Sequence, residues 1–312
     1  MSKELRVSIQ NGSWMNDFFG GDADALRGFT AAKEAGIEAL DYNINDRYPG
    51  KYINAKEKSA FFSQDIETIL KSYEPVKEAI EKTGVVIEQA HASFPLYIDG
   101  CEEMNDHLIM VVDKMCAICQ YLGCPALVVH PWSSFDKAKE REVNLAMYRK
   151  MIPSGKKYGV KLCLENMFMS KSGIGIVGGA CAEAEEAAWY IDTLNAEAGE
   201  EIFGYCFDLG HANLCKRNIR DELNILGNRL TVLHLHDNNS THDQHFAPMT
   251  QRKTDWDGLI AGLRDIGYRG ALSFETFASM QKFPKELVPA MLKYTARVGK
   301  YLRDKILEEE VK

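Results

Sequence analysis

The sequence predicts an α/β protein built as a single (β/α)₈ TIM barrel over residues 1–312, and three observations predict it. Eight apolar runs of strand length alternate with longer helix-like segments, five of those segments close on a glycine, and successive runs end in acidic or imidazole side chains. Regular strand–helix alternation argues for βαβ units on a parallel sheet. Eight such units suit closure into a barrel, whose chemistry gathers at the C-terminal strand ends.

In chain order the predicted strands are LRVSI at 5–9, IEALDYNI at 37–44, VVIEQAHA at 85–92 and ALVVHP at 126–131. VKLCLEN at 160–166, GYCFDLG at 204–210, TVLHLHD at 231–237 and GALSFET at 270–276 follow. Between them run helical patterns such as DALRGFTAAKEAG (24–36), DIETILKSYEPVKEAIEKTG (65–84) and EEMNDHLIMVVDKMCAICQYLG (102–123). Gly36, Gly84, Gly123, Gly159 and Gly267 stand where helices should end before the next strand. An open dinucleotide-binding sheet would need its glycine fingerprint directly after an early strand. The one GxGxxG, at Gly173, Gly175 and Gly178, begins seven residues after the fifth strand, so it reads as a flexible loop over the barrel mouth.

Composition narrows the function classes. Hydrophobic residues make up 46% and charged residues 26%, ordinary for a soluble domain with a sizeable core. The N-terminal MSKELRVSIQNG lacks the pattern of a signal peptide, and no apolar run is long enough for a membrane span. A cytoplasmic protein with no membrane partner is expected. A formal net charge of −8 opposes phosphate backbones, so nucleic acid is not the expected partner. Eight cysteines fall mostly in apolar segments, and the single CxxC, Cys116 and Cys119, lies in a helical stretch. They read as buried small hydrophobes rather than disulfides or a zinc site.

The chemistry sits at the strand ends. His91, His130, Glu165, Asp208 and Glu275 each close a predicted strand, and His234 and His236 share one face of the seventh. Two residues before the carboxylates, on the same inward face, stand the small Cys163, Cys206 and Ser273, while Leu164, Phe207 and Phe274 face the helices. Three inward carboxylates at one end of a barrel repel one another, and burying unpaired charge is expensive. A bound divalent cation relieves both problems. Glu165, Asp208 and Glu275, with a seventh-strand histidine, His234 or His236, form a set of three carboxylates and one imidazole suited to Mn²⁺, Co²⁺, Mg²⁺ or Zn²⁺. His91, His130, His211, His236, Asp243 and His245 are candidates for further metal or substrate contacts. Trp14, Phe94 and Trp132 follow the first, third and fourth strands and are candidates for lining a substrate pocket. Trp256 is expected to anchor the helix after strand seven, and Arg252 and Lys253 read as a solvated loop pair.

The stretches HASF, VVHPW, LENM, DLGHAN, HLHDN, THDQHFAP, TDW and LSFET, in this order over strands three to eight, resemble the xylose isomerase-like barrels, specifically their sugar (phosphate) isomerase and epimerase branch. The resemblance implies that Glu165, Asp208, His234 and Glu275 hold the metal, with Asp237 following His234 by three residues and His236 a rival ligand. It also implies that Glu165 and Glu275 act as acid and base on opposite faces of a sugar or sugar phosphate, through an enediolate. A homo-oligomer would be unsurprising. The same superfamily holds a DNA-repair branch of endonuclease IV type, whose three-zinc site uses nine ligands. Residues for all nine stand here, at His91, His130, Glu165, Asp208, His211, His234, Asp243, His245 and Glu275. LGHANL after Asp208 and FAPMTQRKTDW after His245 depart from the repair pattern, and the implied function is the sugar isomerase or epimerase.

Overall fold

The computed structural model describes residues 5–251 and 253–308. All eight predicted strands form, as β1 (Val7–Gln10), β2 (Ala39–Tyr42), β3 (Val86–His91), β4 (Ala126–Val129), β5 (Lys161–Glu165), β8 (Phe203–Asp208), β9 (Leu230–His234) and β10 (Leu272–Phe274). A short hairpin, β6 (Phe168–Lys171) and β7 (Gly175–Gly178), is inserted after β5. The barrel strands pair in parallel in the order β10-β1-β2-β3-β4-β5-β8-β9. Between β9 and β10, Leu235 N donates to Ser273 O at 2.8 Å and Glu275 N to Leu235 O at 3.0 Å. These bonds carry the pairing across the last gap in the ring.

One or more helices follow each strand and wrap the outside. Gly36, Gly84, Gly123 and Gly159 directly follow helices in the left-handed region, and Gly267 sits one residue farther on, with φ 64°. At Gly36, φ 90° lets the amide reach back to Ala32 and Lys33 carbonyls that would otherwise be left bare. One hydrophobic cluster, from Leu5 to Ile306, fills the space between barrel and helices. Inside the barrel a smaller cluster holds Ala126, Val128, Cys163, Cys206 and Val232. Ser273 Oγ meets Ser8 Oγ at 3.2 Å. Small residues therefore lie beneath the strand ends. All eight cysteines are free, and Cys116 and Cys119 are buried in the helix Glu102–Leu122.

Two sequence expectations are corrected. The pattern over 65–84 is not one helix but two, Ile66–Lys71 and Glu74–Thr83. Pro75 has no amide hydrogen to donate, so it fits the first turn of the second helix and not the interior of a longer one. The glycine fingerprint at 173–178 is not a flexible loop. It builds the turn and second strand of the hairpin, where Gly173 takes φ 77°.

The final helix, Val288–Leu307, seats on the barrel through a missing side chain. A Cβ on Gly299 would collide with both Cγ atoms of Val7 and come within 3.1 Å of the Phe274 ring. Both neighbours are fully buried and have no room to yield. Gly299→Ala is expected to cost about 1–3 kcal/mol. In urea unfolding the midpoint should fall with an unchanged slope. An unshifted midpoint would show that this packing is looser than described.

Candidate metal centre and cavity

Each barrel strand delivers at least one polar side chain to the C-terminal mouth. Gln10 ends β1, Asp41 stands in β2, Gln89 and His91 close β3, and His130 follows β4. Glu165 and Asp208 end β5 and β8, His234 ends β9, and Glu275 follows β10. His234 lies at the centre. Its Nδ1 is 3.0 Å from Glu165 Oε1, 3.8 Å from Glu275 Oε2 and 3.9 Å from Asp208 Oδ2. The four side chains singled out from the sequence thus converge on one point. Asp208 and His234 are wholly buried, held from behind by specific bonds. The Asp208 backbone pairs with the Asn166 amide at 2.7 and 2.8 Å, and its carboxylate accepts from His211 N at 2.6 Å, capping the helix Leu209–Leu214.

The other histidines ring this centre. His130 Nε2 lies 2.8 Å from Glu165 Oε2, close but not aligned as a hydrogen bond. His91 bridges two acids, with Nδ1 2.9 Å from Asp41 Oδ1 and Nε2 3.2 Å from Glu275 Oε1. A second focus forms alongside. Asp243 Oδ2 is 3.0 Å from His245 Nε2 and 3.5 Å from His211 Nε2, and His236 stacks on His245 with centroids 4.0 Å apart. His236 Nε2 meets Asp208 at 3.1 and 3.2 Å, so Asp208 stands between the two foci. His236 faces this second focus, whereas His234 faces three carboxylates through Nδ1 and Asp41 through Nε2, 3.4 Å from Oδ2. Asp237 belongs to neither. It accepts from Thr254 Oγ1 at 2.6 Å and Gln251 N at 2.8 Å, pinning the loop before the helix that Trp256 begins. Arg252 lies outside the described residues, and Lys253 is exposed.

The donor set fits a divalent cation. Glu165 Oε2, His130 Nδ1, His234 Nε2 and His236 Nδ1 are buried without a hydrogen-bond partner, which native interiors rarely tolerate. Several overlapping groups of three or four side chains place their ligand atoms within 4.8 Å of one another. Carboxylate oxygens with imidazole nitrogens suit Mn²⁺, Co²⁺, Mg²⁺ or Zn²⁺.

Protons sit on His91 and His211 when no cation competes. Burial works to lower the His91 pKa, but Asp41 and Glu275 outweigh it and push it up to about 10. His211 also resists its burial and reaches about 10, through Asp208, Asp243 and Glu165. Burial alone would raise Glu165, yet His234 and His130 hold it well below the usual carboxylate range. Glu275 is lowered in the same way by His234, His91 and His245. The pH dependence follows from the two histidines raised from 6.5 to about 10. Their contribution to stability is full below the unfolded value and is lost as pH climbs toward about 10. Protein stripped with a chelator should therefore melt at lower temperature as pH rises from ~6.5 to ~10. A flat or rising melting temperature across that window would contradict the charge assignment. Burial works to lower His234, but Cys206, Glu275 and Glu165 raise it well above its ordinary value; a cation must displace its proton, so metal affinity should rise with pH.

Above the centre opens a cavity of about 890 Å³. Glu165 and Glu275 line it; Asp208 and His234 lie beneath. Of the aromatic candidates, Phe94 lines the cavity and leans over His130 with centroids 4.9 Å apart. Trp14 and Trp132 do not line it. A helix rather than a loop follows β1, and it turns Trp14 into the core against Phe19, with its indole N–H on Gln10 O at 2.7 Å. Trp132 packs on Tyr97, and its backbone is clamped by the Asn144 amide at 2.8 and 2.9 Å. Sequence reading missed Asp41, Gln10 and the hairpin residue Phe168, which lines the cavity edge-on to His211. Gln10 donates to Glu275 Oε1, and Gln89 donates to Asp41 at 3.1 Å and across the barrel to Leu233 O at 3.2 Å. Asp41 carried the same signal as the other acids, a carboxylate within a strand-like run.

A family model described as the xylose isomerase-like TIM barrel matches residues 29–297. An uncharacterized protein of Methanocaldococcus jannaschii is 27% identical over 162 residues, 49% of this chain and 51% of that one, so the chain spans about half the length of the curated relative it matches. Among solved structures, the 3-keto-D-glucoside 4-epimerase YcjR of E. coli superposes with TM-score 0.68 at 17% identity, covering 96% of this chain and 100% of that one. The IolI protein with a bound zinc atom superposes with TM-score 0.69 at 15% identity, covering 97% and 98%. Among the described residues, no helix is long and apolar enough to cross a membrane.

Proposed function

Since this chain belongs to the xylose isomerase-like TIM barrel family, we propose that it is a divalent-metal-dependent sugar isomerase or epimerase, one domain over 1–312, acting by proton abstraction and return. One observation carries the reading. Of the three carboxylates that converge on His234 Nδ1, only those of Glu165 and Glu275 also reach the cavity. Both have lowered pKa values and so stand ready as bases. They come from β5 and the end of β10, three steps apart round the eight-strand ring, and so approach a bound molecule from different sides. Glu165, Asp208, His234 and Glu275 would hold the cation. When bound, it would supply Lewis-acid polarisation of a carbonyl and a neighbouring hydroxyl.

The protein's own groups supply the rest. One ionised glutamate takes the proton from the carbon beside the carbonyl, and the other, which must first take up a proton from solvent, delivers it to carbon. Gln10 fixes the Glu275 carboxylate through its amide, and His130 Nε2 stands 2.8 Å from Glu165 Oε2 on the other side of the cavity. Phe94, Phe168 and Phe277 border the cavity and offer apolar faces to sugar C–H groups. Sugar epimerase and zinc-bearing neighbours on the same fold agree with this reading. The free cysteines, mostly buried, fit a reducing compartment, which is the basis for placing the protein in the cytoplasm. The test is solvent-deuterium exchange. Incubated with Mn²⁺ and a ketose in D₂O, the protein should introduce deuterium beside the carbonyl. A panel of ketoses and aldoses left without exchange would contradict the reading.

A multi-zinc phosphodiesterase is the second reading, and the focus at His211, His236, Asp243 and His245 favours it. Against it stand the net charge of −8 and the cavity lining, which includes no Lys or Arg among the described residues.

A further inference from the structure

Beside the metal centre, and out of reach of the cavity, lies Asp41 of β2. Its carboxylate is wholly buried, which is expensive unless donors surround it. Here they do. Gln89 Nε2 donates to Asp41 Oδ2 at 3.1 Å, and His91 Nδ1 stands 2.9 Å from Oδ1. The same Gln89 amide reaches across the barrel to Leu233 O at 3.2 Å, on the residue just before His234. Asp41 is thereby tied to β9, the strand that ends in His234. The His91 ring that it holds stacks on the His234 ring, with centroids 4.5 Å apart and planes 13° from parallel.

His234 presents its two nitrogens to two different surroundings. Nδ1 faces Glu165, Glu275 and Asp208 at 3.0, 3.8 and 3.9 Å. Nε2 is buried with no hydrogen-bond partner, and Asp41 Oδ2 stands 3.4 Å from it. A slight turn of the ring brings that pair within the limit of roughly 3.2 Å for an N–H···O bond. A neutral imidazole carries one proton, and the nitrogen that holds it cannot also ligate a metal. The partner of one nitrogen therefore decides which other nitrogen faces the cation. Asp41, His91, His234 and Glu275 could instead group around an ion of their own, since their ligand atoms lie within 4.8 Å of one another. Two observations oppose that. The Gln89 N–H already points at Asp41 Oδ2 and would be repelled by a cation there, and three carboxylates stand at Nδ1 against one at Nε2.

Resting on the reading that Glu165, Asp208, His234 and Glu275 hold a cation, we propose that Asp41 is the positioning residue of that centre. It accepts the His234 Nε2–H and so fixes the imidazole with its Nδ1 lone pair toward the three carboxylates. Asp41 touches neither substrate nor metal. A carboxylate behind a ligating histidine orients the ring and makes it a better donor, and losing one typically costs about 10–100-fold in metal affinity.

The tautomer is read directly on the wild-type protein loaded with diamagnetic Zn²⁺, by nitrogen NMR of the labelled imidazoles. His234 should show Nδ1 on the metal and a proton on Nε2 that exchanges slowly with solvent. Metal on Nε2 would overturn the assignment. Asp41→Asn keeps the shape of the side chain and removes its charge. In calorimetric titration the variant should bind Mn²⁺ about 10–100-fold more weakly at the same stoichiometry, and its Nε2 proton should exchange faster. Circular dichroism and the melting curve of the chelated protein report its fold. A folded Asp41→Asn that binds Mn²⁺ as tightly as wild type overturns the proposal; if the variant does not fold, the wild-type tautomer alone decides. Weakened Mn²⁺ binding by the variant, with no deuterium exchange into any sugar by wild type, upholds the role of Asp41 and sinks the proton-transfer function. Wild type that binds no divalent ion sinks the metal centre and the role of Asp41 with it.

Discussion

Glu165→Gln lowers solvent-deuterium exchange into a ketose by roughly 10²–10⁴-fold, the range supplied by a positioned general base, and the protein stays folded. Glutamine keeps the shape of the side chain but removes the proton acceptor. It also removes the charge against which His234 Nδ1 at 3.0 Å and His130 Nε2 at 2.8 Å are set. Glu275→Gln should cost as much, for the same reason on the other side of the centre, where Gln10 and His91 hold the carboxylate. The double variant should lose little beyond the worse single one, because the two act as a unit and such losses are not additive. Circular dichroism and the melting curve distinguish lost chemistry from lost fold. Near-normal exchange by either single variant would show that its carboxylate is not the base or the acid.

The second large effect is on stability through the metal. A cation that binds the folded chain alone stabilises it by about 2.7 kcal/mol at one hundred times its dissociation constant. Wild-type protein should therefore melt several degrees higher with Mn²⁺ than after chelation. His234→Ala should abolish that gain. His234 is wholly buried and is the one nitrogen ligand shared by Glu165, Asp208 and Glu275. His236→Ala should leave most of the gain in place, since His236 faces Asp208 and Asp243 but neither glutamate. Equal metal stabilisation of wild type and His234→Ala would move the cation to the neighbouring focus at Asp243 and His245.

Much of this centre was legible before any coordinates. Glu165, Asp208 and Glu275 stood out because a strand repeats every two residues, and small Cys163, Cys206 and Ser273 lay one inward position below them. The barrel followed from eight strand–helix units, five of whose helices closed on glycine. What the sequence concealed depended on strand limits and on what comes after a strand. Reading the first strand to Ile9 cut off Gln10, and reading the second on to Ile44 hid Asp41 inside it. Trp14 reads as a pocket residue because it follows the first strand at the catalytic end, where a helix carries it inward. Phe168 was invisible because the segment after β5 read as loop, and only its pairing with Gly178 fixes it at the cavity edge. A hairpin register is not set by local residue preference alone.

The direct test of the central claim is the metal content of protein purified without added metal or chelator, by mass spectrometry and normalised to chain concentration. A single-ion centre at Glu165, Asp208, His234 and Glu275 gives about one divalent ion per chain, Mn²⁺ or Co²⁺ above all, falling toward zero in His234→Ala. Close to three zinc ions per chain would contradict it and make the second focus at His211, Asp243 and His245 part of a hydrolytic cluster.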